Sequence, residues 1–135
     1  MSLPVLAFAA LAALTVGAAA APAAPAGLDA YRWKARPLVV IAPDAADARY
    51  RTQMEAVSAA QAALRERDMV VLPALGPDSP LRKQVGSGSA AFQVVLIGKD
   101  GHVAGRWTAP VALPDVFALI DRMPMRRDEM RRQGQ

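Results

Sequence analysis

Asp44 and Asp47 stand three residues apart where an apolar run gives way to a helical pattern, and carboxylates at a strand-to-helix junction are natural candidates for general acid–base work. Helix capping accounts for the same residues, because Asp47 precedes the first periodic position and an Asp there satisfies an orphan backbone N–H. His102 is the sole histidine, set beside Asp100 and Gly101. One imidazole can shuttle a proton or bind a metal, but metal sites take three or four ligands, and the chain offers no second His and no Cys. The Gly-Ser-Gly-Ser run at 86–89 has the small residues of a phosphate cradle, yet it lacks a following Lys and precedes a strand pattern instead of opening a helix. It reads as a loop. No catalytic residue, metal ligand or cofactor is therefore expected.

The C-terminal segment carries more signal. Arg122, Arg126, Arg127, Arg131 and Arg132 fall close together, with Met123, Met125 and Met130 between them. Guanidinium groups beside soft apolar side chains suit an anionic partner or a protein groove. Ordinary helix pairing also accounts for them: Asp128 with Arg132 at i, i+4 and Arg126 with Glu129 at i, i+3, with the methionines docked on a sheet. The candidate contact residues are thus Asp44, Asp47, Arg122, Met125, Arg126, Arg127 and Arg131. Tyr31, Trp33 and Trp107 could form a stacking platform, but packing at the core or edge is the expectation. The expected partner is an envelope protein or an anionic surface, and nucleic acid is not expected. The excess of 16 basic over 12 acidic residues, a formal +4, is modest.

These residues need elements to hold them. Residues 37–42 form a continuous apolar run with β-branched members, which predicts a central strand buried on both faces. Tyr50, Met54, Val57, Gln61 and Leu64 recur at three- and four-residue steps and predict one helix from Asp47 to about Glu66. A second buried run at 69–72 completes a strand, helix and parallel strand. A short helix is expected at 81–85. Residues 92–97 give a third strand, and Asp100 with Gly101 supplies hairpin turn chemistry before a fourth strand at 103–107. Pro114 opens a helix that stops or bends at Met123 and Pro124, and the tail continues as helix. This order, βαβ, then a hairpin, then a helix, predicts a thioredoxin-like α/β three-layer sandwich with a mixed sheet of about four strands. Where such folds keep a redox motif, between the first strand and first helix, this chain has no cysteine. Thiol–disulfide exchange is excluded, since its nucleophile is a thiolate.

The N-terminus predicts export. Leu3 to Ala20 carries no charge, and residues 3–16 form an apolar stretch followed by the small residues 17–21, as signal-peptidase processing requires. Cleavage is expected after Ala20, leaving a flexible leader at 21–27 and a single domain at 28–135. The uncharged n-region departs from the usual pattern, and retention as a membrane anchor is the alternative. After cleavage no stable membrane span is expected, which places the protein in the periplasm or outside the cell.

Several stretches together resemble the domain of unknown function 4174, found in small secreted bacterial proteins and in extracellular matrix proteins of animals. They are Tyr31, Arg32 and Trp33; Arg36 with the run to Pro43; Glu66, Arg67 and Asp68 before the second strand; Val95 through Lys99, Asp100 and Gly101; and Phe117 through Asp121, Met123, Pro124, Met125, Arg126 and Arg127. The resemblance implies a thioredoxin-like fold in an exported setting and brings no catalytic residues with it. The reading is an exported non-catalytic binding or interaction module on a cysteine-free scaffold. The alternatives are a cysteine-independent enzyme with its site at the first strand-to-helix junction, or an envelope structural or adhesion protein.

Overall fold

The computed structural model describes residues 27–134; the expected signal segment, its cleavage point and nearly all of the leader lie outside the described residues. A single 3-10 turn, Leu28–Tyr31, precedes β1 (Arg36–Ala42), α1 (Ala48–Ala59), α2 (Gln61–Glu66), β2 (Met69–Leu75), α3 (Pro80–Gln84), β3 (Gln93–Ile97), β4 (Val103–Trp107), α4 (Leu113–Asp121) and α5 (Pro124–Arg132). The sheet order is β2-β1-β3-β4. β1 runs parallel to β2, with Arg36 opposite Met69 and Ala42 opposite Leu75, and antiparallel to β3, with Leu38 opposite Leu96. β3 and β4 form the antiparallel hairpin that Asp100 and Gly101 predict, with Gly101 at φ +86°.

Every residue of β1 is buried, as its unbroken apolar run requires. Successive side chains of a strand point to opposite faces, so the sheet supports two cores. Leu38, Val40, Val94 and Leu96 pack with Val57, Leu64, Val116 and Ile120 from α1, α2 and α4. Val39, Ile41, Val95 and Ile97 face the other way, where Val85, Leu81 and Leu28 cover them. Helices on both faces of a mixed four-stranded sheet give the three layers.

Two elements differ from expectation. The long helix is interrupted at Ala60, whose φ of −118° leaves the helical region. The Gln61 side chain donates to the Val57 carbonyl at 3.0 Å, the oxygen that its own backbone N–H would bond in an unbroken helix. Gln61 consequently turns outward, while Gln53, 1% exposed, takes an inner position. There its amide clamps the backbone N–H and C=O of Val111, at 2.8 and 3.2 Å. The second difference is β2, which is a sheet edge, buried at Met69 but only half-buried at Val70, Val71 and Leu72. Edge position also lets the strand run on through Pro73, which has no ladder N–H to donate.

Candidate functional site

At the carboxyl end of β1, the two acidic candidates are occupied locally. Asp47 Oδ1 accepts from the N–H groups of Arg49 and Tyr50, at 2.9 and 3.3 Å, and so caps α1. Its carboxylate also meets the Arg49 guanidinium at 2.9 Å, and chiefly this contact holds its pKa down to about 2. Asp44 is exposed and folds back on the N–H of Ala46 at 2.9 Å. A carboxylate kept ionised to such low pH is a poor proton donor near neutrality. The depression at this end of the sheet is lined by Pro43, Pro77, Arg82 and residues 88–91, and neither aspartate contributes to it.

The opposite end holds a dense ionic network. Arg36, the first residue of β1, is 1% exposed and donates to both oxygens of Glu129, at 3.2 and 3.0 Å, and to the Arg67 carbonyl at 2.8 Å. Lys99, from the β3–β4 turn, reaches Glu129 at 2.6 Å and Asp68 at 2.8 Å. Arg126, 1% exposed, bonds Asp121 at 3.1 Å and the side chain and carbonyl of Glu66 at 3.2 Å. Arg67 grips Asp121 at 3.0 Å and lies over the Phe117 ring, 4.5 Å from its centroid. Four cations thus meet four carboxylates beneath the amino ends of β1 and β2. Burial alone would raise the Glu129 carboxyl, but the bonds from Arg36 and then Lys99 overcome it and hold the group below its ordinary range. The same balance, with Arg67 and Arg126 as donors, lowers Asp121.

Arg126 requires a correction. The sequence offers it as a contact residue or as half of a surface pair with Glu129; the pair is present at 3.8 Å, but Arg126 is interior, and its closest carboxylates are Asp121 and Glu66. The turn at Met123 and Pro124 folds α5 back under the sheet and brings that guanidinium inside. Arg122, Arg127 and Arg131 are exposed. Asp128 pairs with Arg131 one turn on, not with Arg132.

Beside the network lies a cleft of about 260 Å³, lined by Arg36, Gly98, Lys99, Asp100, His102, Val103, Ala104, Met123, Pro124 and Met125. Met125, a candidate from the sequence, forms part of its wall. His102 stands 85% exposed at the rim, with Nδ1 3.5 Å from Asp100. Next to the cleft the backbone carbonyl of Lys99 accepts from the N–H of Trp33 at 2.7 Å. Trp33 is 63% exposed and adopts φ +66°, a left-handed conformation that L-residues with a side chain rarely take. The Arg32 guanidinium covers Gly101, where an added Cβ would come within 2.8 Å of Nε, and φ +86° independently selects glycine. The arrangement is an apolar groove over a charged floor, with the exposed Trp33 tied through its backbone to Lys99, one of the lining residues. It suits an apolar side chain that also carries a hydrogen-bonding group.

Sequence reasoning missed three of these residues. Arg36, Lys99 and Arg82 each sit at the margin of a segment and look like surface charges, and their burial follows from partners remote in the chain. One signal was available: Arg36, Glu66, Arg67, Asp68, Lys99, Asp121 and Arg126 all belong to the stretches that carry the family resemblance. These are the residues that converge in the network.

The sheet order and three-layer arrangement define a thioredoxin-like α/β domain. The reduced 2-Cys peroxiredoxin of Plasmodium vivax matches with a TM-score of 0.60 over 75% of this chain and 84% of that one, at 14% identity. Thioredoxin peroxidase I of Plasmodium yoelii matches with a TM-score of 0.56 over 75% of this chain and 79% of that one, at 16% identity. The family model "Domain of unknown function (DUF4174)" matches residues 27–129, and the chain belongs to that family. Among curated relatives, coiled-coil domain-containing protein 80 of Danio rerio is 27% identical over 133 residues, covering 76% of this chain and 15% of the relative. The human sushi repeat-containing protein SRPX is 29% identical over 120 residues, covering 76% of this chain and 26% of the relative. The chain therefore spans between about a seventh and about a quarter of these relatives. No helix among the described residues is long and apolar enough to cross a membrane.

Proposed function

We propose that this domain is an exported, non-catalytic interaction module that binds an envelope or extracellular protein through the face formed by Trp33, Val103 and the cleft at Met123 and Met125. The observation that carries the reading is Trp33, a large aromatic left 63% exposed on a left-handed backbone. Neither feature favours the isolated fold, and strained backbone under an exposed aromatic is a recurrent mark of a contact site. Val103, 43% exposed on an edge strand, and the methionine walls extend the apolar area, and methionine adapts its shape to a partner. The ionic network beneath gives this face a fixed floor. Export is supported by the apolar N-terminal segment with its small-residue site, and by the resemblance to a family represented in secreted bacterial and animal matrix proteins. The absence of cysteine from the sequence removes the thiol chemistry for which this fold is otherwise used.

The test is site-specific photo-crosslinking in intact exporting cells, with the crosslinker at position 33, 103 or 125 and, as control, at Ser58 on the exposed side of α1. A common adduct from the first three positions and not from Ser58 is expected. Adducts that do not distinguish the two faces would overturn the reading.

A further inference from the structure

The depression at the carboxyl ends of β1 and β2 has a feature that interaction through the opposite end of the sheet does not use. Arg82, the third residue of the short α3, is only 7% exposed. Burying a guanidinium is costly unless a counter-charge compensates it. The buried cations Arg36, Lys99 and Arg126 each have a carboxylate within 3.2 Å. Arg82 has none within 4.0 Å among the described residues. Asp44 and Asp78 follow Pro43 and Pro77 in the chain, yet neither pairs with it.

The Arg82 guanidinium is instead held by two backbone carbonyls. Nε donates to Gly76 at 3.1 Å and Nη1 donates to Ala90. These bonds fix the plane of the group and tie together the two loops that wall the depression, while leaving its charge unneutralised. Nη2 has no partner among the described residues, and it keeps contact with solvent, since the buried side-chain nitrogen without a partner is Arg36 Nε. Arg82 lines the depression, about 490 Å³, together with Pro43, Pro77 and residues 88–91. The facing loop adds donors. Gly86 and Gly88 take φ +68° and +58°, and the N–H groups of Gly88 and Ser89 bond no backbone carbonyl among the described residues. Successive N–H groups in a loop that alternates into left-handed conformation form a concavity suited to an anion. The place is also that at which open α/β sheets bind ligands, the crevice beyond the carboxyl ends of the strands.

We propose that this depression is an oxyanion-binding site in which Arg82 supplies the charge and Gly88 and Ser89 supply further donors. The ligand class is a small oxyanion or a larger molecule bearing such a group, with either a tetrahedral phosphate or sulfate or a planar carboxylate. Binding supplies the counter-charge that the fold withholds from Arg82. It is independent of the Trp33 face, which lies at the other end of the sheet.

The experiment is a nitrogen-15 NMR titration of the 135-residue chain with inorganic phosphate, sulfate and acetate in separate arms at constant ionic strength, following the Arg82 side-chain Nε–H and the amides of residues 88–91. Saturable shifts confined to these groups are expected in at least one arm. Saturation by phosphate or sulfate alone assigns a tetrahedral group; saturation by acetate as well assigns a carboxylate. Ala91→Glu, which brings a carboxylate into the depression without touching the bonds of Arg82, is expected to weaken the affinity at least tenfold. Arg82→Gln is expected to abolish it, and because that variant also loses bonds to both loops, Ala91→Glu decides the case if Arg82→Gln does not fold. Shifts that never saturate, shifts centred on Arg131 and Arg132, or an unchanged affinity in Ala91→Glu would overturn the proposal.

Discussion

Replacing Glu129 by Gln removes one charge from the four-against-four network and leaves the shape nearly intact. The Glu129 carboxylate, 12% exposed, is shared by Arg36 at 3.0 Å and Lys99 at 2.6 Å, both almost fully buried. With charge centres about 4 Å apart and an effective dielectric of about 20, each attraction is worth about 4 kcal/mol before desolvation is subtracted. Deleting one partner of a buried pair strands the other's charge, a cost of about 3–5 kcal/mol, and here two cations lose the same partner. Urea unfolding at pH 7, followed by tryptophan fluorescence and far-UV circular dichroism, should show a loss near 4 kcal/mol. For a domain of this size that corresponds to a fall in thermal midpoint of about 15 °C or more. The pH dependence supplies a second arm. The folded pKa of Glu129 is depressed, so its stabilisation is present above the unfolded value of about 4.3 and is lost as pH falls through the lower folded value. Wild-type stability should decline over that acid window more steeply than that of Glu129→Gln. A loss below about 1 kcal/mol, or identical acid slopes in the two proteins, would refute the reasoning.

Three further outcomes are expected. Gln53→Leu fills the same space but strands the Val111 N–H and C=O in the core, and should lower stability by about 2–4 kcal/mol in the same urea assay. Asp47→Asn retains an oxygen to cap α1 while losing the ion pair with Arg49, whereas Asp47→Ala loses both; thermal melts should rank wild type above Asn above Ala. The lead of wild type over both variants should narrow as pH falls from 4 towards the Asp47 pKa of about 2, because the stabilisation of a depressed carboxyl vanishes on protonation, while the gap between Asn and Ala stays. Trp33→Gly accepts φ +66° without strain and should raise stability by up to about 1 kcal/mol, read as a higher urea midpoint, while abolishing crosslinks to the partner.

The strands and turns follow from local pattern. The unbroken apolar runs in β1 and β3, the Asp100–Gly101 turn and the Asp47 cap each encode their structure within a few residues, and the order of elements then leads to the thioredoxin-like sheet. The interior charges do not follow in that way. Periodicity assigns any arginine to the surface, so Arg126 reads as a solvated member of α5. Its burial depends on Glu66, sixty residues earlier, and on the turn that folds α5 beneath the sheet. Arg82 is hidden for the same reason, because the carbonyls of Gly76 and Ala90 that hold it belong to loops without periodicity. The break at Ala60 is accompanied by a side-chain bond of Gln61 that a hydrophobic stripe cannot register.

The contacts joining Lys99, Arg67 and Arg36 to their carboxylates close chain separations of 30, 54 and 93 residues. The Arg36 and Lys99 contacts need β1, the β3–β4 turn and α5 together, and the Arg67 contact needs the end of α2 beside α4, so closures of such length are expected late in folding. Interactions absent from the transition state act on the rate of escape from the native state and leave the rate of arrival unchanged. The network thus behaves as a latch. Glu129→Gln should speed unfolding by nearly the whole of its equilibrium effect, so the lifetime of the native state, read from unfolding rates in urea, shortens accordingly.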